Sequence, residues 1–81
     1  MAVVMNVKLR IRDLREDADL TQKEIAEYLH GNQSNYSKVE RGIRALSLDE
    51  AVMLAQLYKT SVDYLVGLTD VREPYPSSRR K

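Results

Sequence analysis

The sequence predicts an all-α domain of five short helices, and three observations carry that prediction. Apolar residues recur at helical spacing among charged ones, and no stretch alternates convincingly with a period of two. Before residue 67 the chain has no Pro, and Gly occurs only at 31 and 42. Residues that cap helix starts stand in front of the apolar stretches at Thr21, Asn32, Ser47 and Ser61. An 81-residue chain suits one small domain, which buries only about 60% of the surface its unfolded chain exposes.

Helix 1 is expected over Val7–Ala18 with Asn6 as its cap, because Val7, Ile11, Leu14 and Ala18 fall on one stripe. Helix 2 starts at Thr21, where Thr21 and Glu24 have the spacing of a capping box and Leu20 and Ile25 that of a hydrophobic staple. Its apolar face is Ile25, Ala26, Tyr28 and Leu29, and His30-Gly31-Asn32 reads as a turn. Helix 3 follows the Asn32 cap and runs from Gln33 to about Arg41, where Gly42 ends it. Helix 4 opens on a second capping box, Ser47 and Glu50, and continues through Ala51, Val52, Leu54, Ala55 and Tyr58. Helix 5 is short, capped by Ser61, with Val62, Leu65 and Val66 inward and Gly67 as its stop. The domain is placed at residues 1–68. Residues 69–81, with Pro74, Pro76 and the terminal Arg79, Arg80 and Lys81, read as a basic, flexible tail.

Composition narrows the function. There is no Cys, and His30 is the only His, so neither a disulfide framework nor a metal cluster is expected. The apolar runs Ala2–Met5 and Ala51–Ala55 fall far short of the ~20 residues that span a bilayer. No secretion signal is visible, and a cytoplasmic location is expected. Asp13, Glu16, Asp17 and Asp19 cluster without a nucleophile or metal-ligand partner, so an enzyme is not expected and no cofactor is implied. Net charge is only +1, with +2 on residues 69–81 and −1 on the rest, so affinity for nucleic acid has to come from local arrangement. A chain of this length is expected to carry no separate sensor domain.

Helix 3 supplies such an arrangement. On a wheel of about 100° per residue, Gln33, Ser37, Arg41, Ser34 and Lys38 share an arc of about 140°. Tyr36 and Val39 lie opposite. The polar arc suits base edges, since Gln pairs bidentately with adenine, Lys donates to guanine or phosphate, and Ser does either. Helix 3 also follows helix 2 after a turn of about three residues, the spacing of a helix-turn-helix, whose second helix enters the major groove. Lys23, Arg41 and Arg44 are the expected phosphate contacts.

The stretches LTQKEIAEYL, NQSNYSKVERG, SLDEAVMLAQLY and SVDYLVG resemble the Cro/repressor-type helix-turn-helix family, also called XRE, over about Leu9–Gly67. The resemblance implies a compact five-helix repressor-like domain and a transcriptional regulator, a repressor by preference, that binds an inverted-repeat DNA operator as a homodimer. It implies that Gln33 reads a base, that Ser34, Asn35, Ser37 and Lys38 set sequence preference, and that Gln22 touches a phosphate and braces Gln33. It also implies an ion pair between Arg15 and Glu40 joining helix 1 to helix 3. Relatives place Gly and then Val or Ile where this chain has His30 and Gly31, so Tyr28 or Tyr36 has to fill the space or the turn has to differ. Tyr36, where relatives have Ile or Val, is expected in the core. Met53 and Leu57 lie off the core stripe of helix 4 and offer one subunit surface, and helix 5 with Tyr64 and the start of the tail offers another. Two other functions fit the same residues. One is an antitoxin that binds a toxin as well as DNA. The other is a protein-interaction module that has lost DNA binding.

Overall fold

Helix formation is directed by the caps. In the computed structural model, which describes residues 9–74, the Thr21 hydroxyl accepts the Glu24 N–H while the Glu24 carboxylate accepts the Thr21 N–H. Ser47 and Glu50 repeat that exchange, and Asn32 and Ser61 accept the N–H groups of Asn35 and Tyr64. Each cap satisfies a donor that the helix itself leaves orphaned. The five helices are α1 (Ile11–Asp17), α2 (Gln22–Tyr28), α3 (Gln33–Glu40), α4 (Leu48–Leu57) and α5 (Val62–Leu65), and no strand occurs among the described residues.

The helix ends share one device. After each, a residue turns left-handed and two amide N–H groups reach back to the last carbonyls. Gly42 and Gly67 take that conformation at φ +79° and +84°. Asp19, His30 and Lys59 take it at φ +58°, +62° and +55°, at the steric cost of a Cβ. At the α2–α3 turn, His30 N–H donates to the Glu27 carbonyl and Gly31 N–H to that of Ala26. The turn therefore closes with His30 in the strained position and Gly31 beside it.

The core is Ile11, Leu14, Ile25, Ala26, Tyr36, Val39, Leu54, Ala55, Tyr58 and Leu65, with Leu9, Leu20, Leu29, Leu46, Leu57, Val62, Tyr64 and Val66 packed around it. Each large aliphatic side chain buried in full contributes about 1.5–3 kcal/mol. Val39, Leu54 and Leu65 are completely covered. Tyr36, at 2% exposure, is part of the core, whereas Tyr28 is exposed and donates its hydroxyl to the Met53 carbonyl.

Several sequence expectations are corrected. Helix 1 begins at Ile11, not Val7, with Arg10 at its cap and the Arg10 N–H taken by the Leu65 carbonyl at the end of α5. Asn6 and Val7 lie outside the described residues. Ala18 is exposed as the residue that ends α1, so only Ile11 and Leu14 of the stripe reach the core. On α4 the exposed apolar residues are Leu48 and Val52, while Met53 and Leu57 are half-buried. Thr69–Pro74 is in part tied to the domain. Arg10 donates to the Tyr64 and Thr69 carbonyls, pairs with Asp70 and lies over the Tyr64 ring, and Thr60 donates to the Arg72 carbonyl.

Candidate nucleic-acid interface

Asn32 holds the chain extended at φ −116°, ψ 159°, and α3 starts with Gln33. Tyr36 and Val39 sink into the core against α2, which fixes the rotation of α3 about its axis. The opposite side is then forced outward. Gln33, Ser34, Asn35 and Lys38 are exposed, Ser37 is half-buried, and Arg41 is exposed at the helix end. None of these side chains bonds to another described residue, so their donors and acceptors stay available. Lys23 is exposed and unpaired in the same sense.

Beneath this surface lies a buried polar network. Arg15 Nε donates to Glu40 Oε2 at 2.7 Å, and its terminal nitrogen donates to Oε1 at 3.1 Å. The other terminal nitrogen donates to the Leu20 carbonyl at 2.9 Å. Gln22 Nε2 donates to Glu40 Oε1 at 3.0 Å. The side chains of Arg15 and Glu40 are 12% and 2% exposed. Burial pushes the Glu40 carboxyl up, but the bonds from Arg15 and Gln22 and the Arg15 charge outweigh it, so its pKa lies below the ordinary value. The bond to Glu40 likewise holds Arg15 raised, against its own burial. Burial raises the hydroxyl of Tyr36, with Glu40 adding to the effect, although no hydrogen bond of normal geometry joins them. Tyr58, also buried with its hydroxyl unpartnered by protein, is pushed up to about 12.

The structure thus brings Arg15, Glu40 and Gln22 together. It does not join Gln22 to Gln33, since the amide of Gln22 is engaged by Glu40. Arg44 is also engaged. It grips Glu50 through two nitrogens, at 2.8 and 3.3 Å, and thereby ties the α3–α4 loop to the capping box of α4. Burial raises the Glu50 carboxyl, and the bonds from Arg44 and Ser47 with the Arg44 charge bring it below its usual range. With Glu40 and Glu50 each paired to an arginine, the cations Lys23, Lys38 and Arg41 are left without an ion-pair partner among the described residues. The Gln22–Glu40 and Arg44–Glu50 links are absent from the sequence reading. The first spans 18 residues and has no local signal, whereas Glu50 at the third helical position, six residues after Arg44, offers a weak one. Among the described residues no group of His, Cys, Asp and Glu is placed to hold a metal ion. No described helix is long and apolar enough to cross a membrane.

A helix-turn-helix family profile matches residues 11–65, the span from the start of α1 to the end of α5. The chain belongs to the helix-turn-helix family, of the Cro/repressor (XRE) type. It is 42% identical over 72 residues to YobD, an uncharacterised HTH-type transcriptional regulator of Bacillus subtilis, covering 89% of this chain and 62% of that protein. It is 39% identical over 67 residues to the HTH-type transcriptional regulator ImmR of the same organism, covering 83% of this chain and 53% of the relative. The chain therefore spans less than two thirds of the length of either relative. No solved structure matches it. Within the family's architecture, α2 and α3 are the helix-turn-helix pair.

Proposed function

We propose that this domain is the DNA-binding part of a small transcriptional regulator, that α3 enters the major groove of double-stranded DNA, and that Gln33 leads the base contacts. The observation that carries the proposal is the outward face of α3: exposed Gln33, Ser34, Asn35 and Lys38 with unspent hydrogen-bonding groups, on a helix locked from beneath by Tyr36 and Val39. A merely solvated face has no need of a rigid, capped helix at helix-turn-helix spacing. Ser34, Asn35, Ser37 and Lys38 then tune sequence preference. Gln22, Lys23, Arg41 and Arg44 face the phosphates, with Lys23 and Arg41 supplying charge that no described carboxylate pairs with. Binding as a homodimer to an inverted repeat places two copies of α3 in successive major grooves, about 34 Å apart. The reading is non-enzymatic and cytoplasmic, and repression is the simplest outcome of occupying an operator. The regulator names carried by two relatives support it.

The test is a titration of the isotope-labelled protein with a duplex pool, followed by amide and side-chain NMR shifts. Shifts concentrated on Gln22, Lys23, Gln33–Lys38 and Arg41 support the proposal. Saturable binding that leaves those residues unmoved overturns it.

A further inference from the structure

We infer that Glu40 and Arg15 are positioning residues for DNA binding, acting through the side-chain amide of Gln22; the inference rests on the proposed DNA-binding function. Glu40 lies on the inner side of α3, with its side chain 2% exposed, so it is not placed to meet a duplex itself. Yet it decides how Gln22 presents its amide. An ionised carboxylate has only acceptors, so the group facing Glu40 Oε1 at 3.0 Å has to be the Gln22 NH2. The opposite flip would set two acceptor oxygens against each other. One N–H of Gln22 is therefore spent inward, and Oε1 and the second N–H are what the amide has left to offer.

Arg15 makes that arrangement durable. Its contacts to both carboxylate oxygens fix the plane of the Glu40 group, and its third contact, to the Leu20 carbonyl, anchors the loop from which α2 starts. A single set of bonds thus joins α1, the residue before the Thr21 cap, the first residue of α2 and the last residue of α3. Ser37 stands one turn before Glu40 on the same face of α3. Gln22 is thereby held alongside the part of α3 that carries Ser37 and Arg41. A long polar side chain that arrives ordered loses less entropy on binding than one that has to be immobilised. A fixed amide also distinguishes a donor partner from an acceptor, which a freely turning one does not.

The experiment is a two-by-two cycle of Glu40→Gln and Gln22→Met, measured well below the melting temperature of every protein in it. Affinities for the duplex the wild type prefers and for a scrambled duplex are compared. Neutral Gln at position 40 can face Gln22 with either end of its amide, so the forced orientation disappears while the size is kept. In the presence of Gln22, Glu40→Gln is expected to weaken binding to the preferred duplex about tenfold, within the range of couplings between residues in contact, and to weaken the scrambled duplex alike, since a phosphate contact carries no sequence information. In the Gln22→Met background the same change is expected to leave the affinity alone. An equal loss of affinity in both backgrounds, or none in either, overturns the inference. A purely structural role for Glu40 would not depend on Gln22. A wild-type protein that binds no duplex preferentially overturns the DNA-binding function instead.

A second measurement needs no variant to fold. In the wild-type protein the Gln22 side-chain NH2 is expected to show one proton shifted downfield and exchanging slowly with water, unlike the NH2 of exposed Gln33 and Gln56. An NH2 signal for Gln22 indistinguishable from theirs overturns the inference.

Discussion

Replacing Arg15 with Met removes the cation beside a carboxylate that is 2% exposed. Glu40 keeps the single bond from Gln22 and loses its counter-charge together with two charge-assisted bonds. Breaking a buried pair from one side costs about 3–5 kcal/mol, because the remaining charge is left uncompensated. At roughly 0.05–0.15 kcal/mol per residue, a chain of this size has about 4–12 kcal/mol in total. Arg15→Met therefore removes a large share of the stability, and at about 4–8 °C per kcal/mol it lowers the melting temperature by at least about 12 °C. Glu40→Gln is the milder change. It deletes the more deeply buried of the two charges and leaves Arg15, 12% exposed, with its bond to the Leu20 carbonyl and the carbonyl end of the new amide, so its cost should sit near the ~1.5–3 kcal/mol of hydrogen bonds to charged groups. Arg15→Met with Glu40→Leu should recover most of the loss, since an apolar pair of similar volume replaces the ions. Urea unfolding followed by far-UV circular dichroism measures all three. Two results would refute the reasoning: a loss below about 1 kcal/mol for Arg15→Met, the value of an exposed pair, or a larger loss for Glu40→Gln than for Arg15→Met.

Further consequences can be checked in the same way. Glu40 and Glu50 both have folded pKa values below the ordinary carboxylate value, so the stability they add is present above that value and lost as pH falls through their folded ones; acid titration of the unfolding free energy should show a smaller loss in Glu40→Gln and Glu50→Gln than in the wild type. His30 is exposed at φ +62°, so His30→Gly relieves a steric cost of about 1–2 kcal/mol, offset in part by glycine's entropy, and should raise the urea midpoint. Gly31 lacks a positive φ, and a Cβ there meets nothing closer than the Ala26 carbonyl oxygen at 4.0 Å, so Gly31→Ala should stabilise by about 0.4–1 kcal/mol; a loss would mean the turn is tighter than described. Arg41→Ala should flatten the salt dependence of duplex binding by about one unit of slope without changing the melting temperature, whereas Arg44→Ala should lower melting as well, since it strips Glu50 of its partner.

How far the fold can be read in the sequence follows from the range of the forces involved. The starts of α2, α3, α4 and α5 are legible because a cap and its recipient N–H lie three residues apart, so Thr21–Glu24 and Ser47–Glu50 carry the whole signal locally. The start of α1 is not: the Arg10 N–H is taken by the carbonyl of Leu65, and no window around Val7 contains that partner. The left-handed residues Asp19 and Lys59 are equally hidden. They bear no glycine signature, although the backbone bonds that close α1 and α4 run through them. Helical periodicity misplaces Ala18, which shares the stripe of Ile11 and Leu14 but is exposed where α1 ends.

The candidate site divides along the same line. The polar face of α3 is visible on a helical wheel, and the structure has Gln33, Ser34, Asn35 and Lys38 exposed. Arg15 and Glu40, suggested by resemblance alone, meet at 2.7 Å. The engagement of Gln22 by Glu40 has no local signal and that of Arg44 by Glu50 only a weak one, because each depends on which of several carboxylates tertiary packing delivers to a long side chain. Those two bonds are what separate the free cations Lys23, Lys38 and Arg41 from the arginines that hold the fold.

The most direct measurement of the central claim is selection of duplexes from a random library at two salt concentrations, with wild type and Gln33→Ala in parallel. An inverted repeat with half-sites about one helical turn apart is expected, with enrichment that collapses for Gln33→Ala while weak, salt-sensitive binding to any duplex remains. Enrichment of no sequence by the wild type, or of the same sequence by both proteins, would contradict the claim that α3 reads bases through Gln33.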